Sequence, residues 1–139
     1  MIARKLIMEL LPEPRDAGDS VLVHGTFVYD SRCPYEVTVV IFDGIALRRT
    51  WVLSRDLLLD GLRQPVGGGD VLVLPVRHEH RGDRVELVLR YPGGASVLSL
   101  VADSLGDFLT ETIEVVEPGK ESGYLNIDAG LADLLSLEE

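Results

Sequence analysis

From Asp19 onward, apolar residues recur at every second position in run after run, and turn residues separate the runs. A period of two sends side chains alternately to the two faces of an extended strand, so this stretch buries one face only by forming a β-sheet. "SVLVHGTFVYD" sets Val21, Val23, Phe27 and Tyr29 on one side and Leu22, His24, Thr26 and Val28 on the other. "YEVTVVIFD" is apolar on both faces over Val39 to Phe42, which predicts a central strand. Asp43-Gly44 is a tight-turn pair, and "ALRRTWVL" returns as the third strand of an antiparallel meander. "DVLVLPVRHEH", "RVELVLRYP" and "ASVLSLVA" predict three further strands, turning at Gly82-Asp83 and Pro92-Gly93-Gly94.

The period changes after each set of strands. Trp51, the only tryptophan, ends a strand and is expected to anchor the core; Ser54 is a good N-cap, and Asp56 suits the positive end of a helix dipole. Leu58 and Leu62, four apart with Leu59 beside them, form the apolar stripe of a helix of about ten residues that Pro65 stops after Gln64. Gly67, Gly68 and Gly69 then read as a flexible turn leading through Asp70 into the next strand. A second helix is predicted from Asp103 or Ser104, with Leu105, Phe108, Leu109, Ile113 and Val116 inward and Asp107, Glu111 and Glu114 outward. The fold class is α+β: one domain over 1–139 built from two strand-meander-plus-helix pseudo-repeats, about 19–66 and 67–117. Beyond the break at Pro118-Gly119, Asp128 caps a short amphipathic C-terminal helix, about 128–137, carrying Leu131, Leu134 and Leu135.

Composition excludes several function classes. A chain of 139 residues buries about two-thirds of its unfolded surface and supports a core of its own. The N-terminal "MIARKLIMELLPEPRD" carries Arg4, Lys5 and Glu9 within its apolar stretch and makes a poor signal peptide. A single cysteine, Cys33, allows no internal disulfide and suits a reducing cytoplasm. Residues 101–139 hold Lys120 against ten acids, which supplies nearly all of the net charge of -10 and opposes contact with nucleic acid phosphates.

No catalytic constellation emerges, and no cofactor or metal is expected. The three glycines follow a helix and end in Asp70, whereas a phosphate cradle precedes a helix and avoids negative charge. His78 and His80 would share one strand face, but the third histidine, His24, lies on another strand with no carboxylate beside it. The run "RHEHRGDR" reads as a polar hairpin tip, with Arg77 and Arg81 as possible contacts to an acidic partner. Cys33 reads as a free loop thiol.

"WVLSRDLLLDGL", followed by Pro65, Gly67, Gly69, Asp70 and Val71, resembles the SsgA-like regulators of sporulation and cell division in filamentous actinobacteria. Within that block Trp51, Ser54, Leu58, Leu62, Pro65, Gly69 and Asp70 make up the structural motif. Tyr29-Asp30, Pro34-Tyr35, Tyr91-Pro92 with Gly94, Phe108-Leu109 and Pro118 to Glu121 extend the likeness from about residue 20 to the C-terminus. The chain departs from the family pattern at Leu74 and, often, at Leu53 and Ser54.

The resemblance implies a Whirly-like fold, of the kind seen in single-stranded nucleic-acid binders, assembled as a trimer. It implies a cytoplasmic, non-enzymatic adaptor at the division septum that reaches the membrane only indirectly. Such an adaptor helps position or recruit the tubulin-like protein FtsZ, alongside other SsgA-like or septal proteins. Glu121 is then a candidate partner contact; the alternative is that it braces the Pro118-Gly119 turn. A single-stranded nucleic-acid binder using the Whirly-like sheet is the competing function, but fold alone does not carry function. The last helix and the apolar first strand (Ile2, Leu6, Met8, Leu10) are the expected inter-subunit pieces.

Overall fold

The computed structural model describes residues 1–12, 14, 16–42 and 48–125. Eight strands form one antiparallel sheet: β1 (Ile2–Leu10), β2 (Val21–Tyr29), β3 (Glu36–Phe42), β4 (Arg48–Ser54), β5 (Val66–Gly68), β6 (Val71–His78), β7 (Gly82–Tyr91) and β8 (Gly94–Val101). Helix α1 (Arg55–Gly61) follows β4 and helix α2 (Ala102–Val115) follows β8. The strand order is β4-β3-β2-β1-β8-β7-β6-β5, so two four-stranded meanders meet along β1 and β8. β4 and β7 lie five places apart in that order, yet the Arg49 guanidinium of β4 stacks 5.1 Å from the Tyr91 ring centroid of β7. The sheet is therefore curled into a trough, as its right-handed twist favours.

One face of the sheet carries the core. Met8, Val23, Phe27 and Tyr29 from the first meander join Val73, Val85, Leu87, Leu89, Leu98 and Leu100 from the second. Helix α2 lays Leu105, Phe108, Leu109 and Thr112 onto this face, and Arg4 of β1 pins it from the sheet side through Glu111 at 2.8 Å. Helix α1 buries Leu58 and approaches β6 so closely that a Cβ on Gly61 would collide with the Val73 side chain. Ser54 caps α1 as expected, its hydroxyl accepting from the Leu57 N–H at 3.2 Å.

Several expectations are corrected. The first strand lies in the middle of the strand order, paired with β2 along its length and with β8 at Glu9 and Leu10, and its Met8 is fully buried. Its alternating face completes the core, which is why it reads as apolar. Helix α1 ends at Gly61, before Pro65: the Leu62 N–H bonds to the Leu59 carbonyl, and the N–H groups of Arg63 and Gln64 turn back to the Asp60 carbonyl. Gly67 and Gly68 form strand β5 against β6, leaving Gly69-Asp70 as the turn. Gly67 holds φ +106° with the Val71 carbonyl where a Cβ would sit, so only glycine closes this hairpin. Helix α2 starts at Ala102, two residues or fewer ahead of the predicted start, with no side-chain cap. The Asp43-Gly44 turn and the C-terminal helix at 128–137 lie outside the described residues.

Candidate interaction surfaces

Arg55 opens α1, directly after the Ser54 cap, and is fully buried. Its Nη1 donates to the Thr112 carbonyl at 3.2 Å and the Val116 carbonyl at 2.7 Å, at the negative end of α2. Its Nη2 donates to Glu121 Oε1 at 2.9 Å, and the guanidinium lies 5.0 Å from the Tyr29 ring centroid. Glu121 Oε1 also accepts the Gly119 N–H at 2.8 Å, and Gly119 takes the left-handed φ of +91°. The Arg55 N–H donates to the Tyr35 carbonyl, and Tyr29 Oη donates to the Pro34 carbonyl. One side chain thus ties together α1, the end of β2, the end of α2 and the segment beyond it.

Glu121, a candidate partner contact in the sequence, belongs to this brace. Only 7% of its side chain is exposed, because its carboxylate is consumed by Gly119 and Arg55. The Gly119 N–H bond holds its carboxyl below the usual carboxylate range; burial pulls the other way, and Arg55 reinforces the lowering. Burial raises the Tyr29 hydroxyl, and the Arg55 charge partly offsets it. A carboxyl depressed in the folded state contributes its stability above its unfolded pKa of about 4.3 and loses it as pH falls through the folded value. Urea unfolding of the wild type should therefore weaken below about pH 4.5, and Glu121→Gln should flatten that slope. Equal slopes for both proteins would remove Glu121 from the acid transition. Asp30, held at about 2 by the Arg32 side-chain hydrogen bond, keeps a residual slope in the variant.

Arg77 and Arg81 separate in the structure. Arg77 is 90% exposed, with Asp83 its ion-pair partner at 3.5 Å among the described residues, and remains available to a partner. Arg81 is instead ion-paired to Glu9 of β1, beside the buried Arg84, which donates to Ser99 Oγ at 2.7 Å. His78 ends β6, while His80 falls in the turn beyond it, so the two do not share a strand face. Among the described residues no group of three metal-type side chains forms. The Cys33 side chain is exposed.

The residues of the tryptophan-to-aspartate block have structural work. Leu58 sits in the core, Leu62 caps the end of α1 half-buried, and Pro65 is exposed in the connection to β5. Gly69 takes φ +85°; its carbonyl accepts Arg90 Nη1 at 2.7 Å, and the Asp70 carbonyl accepts the Arg90 N–H at 2.8 Å. Trp51 is only half-buried, packed on the rim of the core rather than sealed inside it.

The face of the first meander turned away from the core is apolar and open. Ile7 is 61%, Leu22 68%, Phe42 43% and Val52 56% exposed. Register places Ile7 opposite His24 and His24 opposite Phe42, while Leu22 lies across from Glu9, so the patch runs over β1, β2 and β3, with Val52 of β4 on the same face across from Thr38. Lys5 and Arg48 are exposed on the same face, and Arg48 lies over the Phe42 ring. Large exposed apolar side chains grouped on one face, rimmed by Lys5 and Arg48, are what a contact surface needs.

Residues 23–121 match the profile of the family described as Streptomyces sporulation and cell division protein, SsgA. The chain belongs to the SsgA family. It is 40% identical over 107 residues to the sporulation-specific cell division protein SsgB of Saccharopolyspora erythraea, covering 77% of this chain and 74% of that one. To SsgB of Streptomyces coelicolor it is 37% identical over 108 residues, 78% of each chain. Two solved family structures superimpose closely. One is an SsgB structure connected with longitudinal cell division during sporulation of Streptomyces coelicolor: TM-score 0.81 and 33% identity over 88% of this chain and 94% of that one. The other is an SsgA-like sporulation-specific cell division protein from Thermobifida fusca: TM-score 0.84 and 27% identity over 95% of this chain and 93% of that one.

Arg55, the residue that organises the family segment here, was missed in the sequence. A signal existed. An arginine in the first turn of a helix faces the positive end of the dipole, so it needs a partner elsewhere in the fold.

Proposed function

We propose that this chain is a non-enzymatic regulator of sporulation-specific cell division, an adaptor that helps position FtsZ at septa. The reading rests on the likeness to SsgB proteins over about three-quarters of both chains. The open apolar face of β1–β3 supports it, because an adaptor works by contact and needs such a surface. No helix among the described residues is long and apolar enough to cross a membrane; in this reading the chain reaches the septum by binding division proteins. The chain assembles as a homo-oligomer, a trimer by resemblance. The two meander-plus-helix halves are a duplicated unit of the Whirly kind, supported by the strand order 4-3-2-1 followed by 8-7-6-5. The net charge of -10 argues against a single-stranded nucleic-acid site, which needs a basic groove.

Co-sedimentation with polymerised FtsZ tests the adaptor reading. The wild type should co-pellet, and Leu22→Glu on the open face should reduce co-pelleting at unchanged thermal stability. No co-pelleting and no effect on filaments would overturn direct recruitment. Light scattering at the 15.2 kDa monomer mass would overturn the oligomer.

A further inference from the structure

The helices fill only part of the trough. At the end they leave open, core-facing side chains of both meanders line an open-mouthed cavity of about 160 Å³. Val23, Leu89 and Leu98 are nearly fully buried and line it together with Ile41 and the half-buried Trp51. Arg49 and Tyr91, exposed and stacked 5.1 Å apart, also belong to the lining and form its rim. Arg4, Arg32, Arg55, Arg63, Arg77 and Arg81 each reach a carboxylate, whereas Lys5, Arg48, Arg49 and Arg90 form no carboxylate ion pair among the described residues, and of these four Arg49 alone lines the cavity. An unpaired guanidinium at the mouth of an apolar chamber is complementary to one chemistry, an apolar body that carries a negative charge.

We propose that this cavity binds a small organic carboxylate with a compact aryl or branched alkyl body. An apolar protein cavity of about 150 Å³ accommodates one benzene ring, so a single ring fits and a fused pair does not. The ring lies against Trp51, Ile41 and Leu89, and the carboxylate meets the fork of Arg49, which presents parallel N–H donors to two oxygens. The ligand joins β4 of one meander to β7 of the other.

Trp51 is the only tryptophan and lines the cavity, so its fluorescence reports occupancy directly. Phenylacetate titrated into the full chain should give a saturable change with half-saturation near ~1 mM, the range open to a ligand of about ten non-hydrogen atoms. Phenylacetamide, which keeps the ring and loses the charge, should bind at least about tenfold more weakly, and Arg49→Gln should lose phenylacetate by a similar factor. Naphthylacetate should give no saturable change. Arg49 is exposed, so circular dichroism and the Tm of Arg49→Gln should match the wild type; the two wild-type titrations stand whatever that variant does. No saturation up to ~20 mM, equal affinity for acid and amide, or wild-type binding by a folded Arg49→Gln would overturn the proposal. A peptide of residues 126–139 that displaces phenylacetate at lower concentration would assign the cavity to the chain's own acidic, leucine-rich segment and overturn it too.

Discussion

Arg55→Ala is expected to cost ~3–5 kcal/mol of unfolding free energy, the loss typical of breaking a buried ion pair from one side. The variant strands Glu121 in a site that is almost closed to water and removes the Arg55 donor from the Val116 carbonyl, while the Thr112 carbonyl keeps the Val116 N–H. It also removes the guanidinium packed on Tyr29. In urea, where a domain of this size has a slope of about 1–3 kcal/mol per molar, the midpoint should fall by roughly 1 M or more. Arg55→Lys should not rescue it, because one ammonium cannot span two helix carbonyls and a carboxylate as the planar fork does. The double variant Arg55→Met, Glu121→Gln should recover part of the loss, since it removes both charges together. A midpoint within 0.3 M of wild type (on the order of the extrapolation error) would show that the brace carries little stability.

Phe108→Ala is the second large effect, again ~3–5 kcal/mol from a cavity that the surrounding chain cannot fully close. Phe108 lies on α2 and meets Phe27 of β2 edge-to-face, with ring centroids 5.7 Å apart and an interplanar angle of 67°. Both rings are buried, so the variant loses apolar burial together with an aromatic pair worth about 0.5–1.5 kcal/mol. Because this contact joins the second helix to the first meander, amide hydrogen exchange in α2 should accelerate along with global destabilisation. Phe108→Leu keeps most of the volume and should cost clearly less. Equal losses for alanine and leucine would mean that the aromatic geometry, not volume, sets the energy.

The two effects act on different interfaces of the same helix. Phe108 holds the middle of α2 on the sheet, and Arg55 holds its C-terminal end against α1. Their costs should therefore be close to additive, whereas Arg55 and Glu121 share one network and should not add.

How much of this was legible in advance divides by the range of the interactions. Strands β2, β3, β6, β7 and β8 were readable because alternation is a local property that each strand imposes on its own residues. The Ser54 cap and the inward stripe Leu105, Phe108, Leu109 were readable for the same reason: a cap and a helical stripe involve residues three or four apart. Gly67 was harder, since its positive φ serves a pairing with Val71 that exists only once β5 and β6 meet. Family membership followed from the spacing between Trp51 and Asp70, which survives as sequence whatever the fold does with it.

Only the tertiary structure decided where the charges went. Arg55 finds Glu121 across 66 residues, and Arg81 finds Glu9 across 72, separations at which no periodicity links the partners. The same holds for the central position of β1, the half-exposure of Trp51 and the cavity rimmed by Arg49 and Tyr91, all of which depend on the sheet curling on itself. Sequence by itself determined most of the strands and both described helices, because backbone geometry repeats over a few residues, but not β5, which exists only through its pairing with β6. Burial, pairing and exposure were settled by packing between distant segments, because desolvation depends on every neighbour at once.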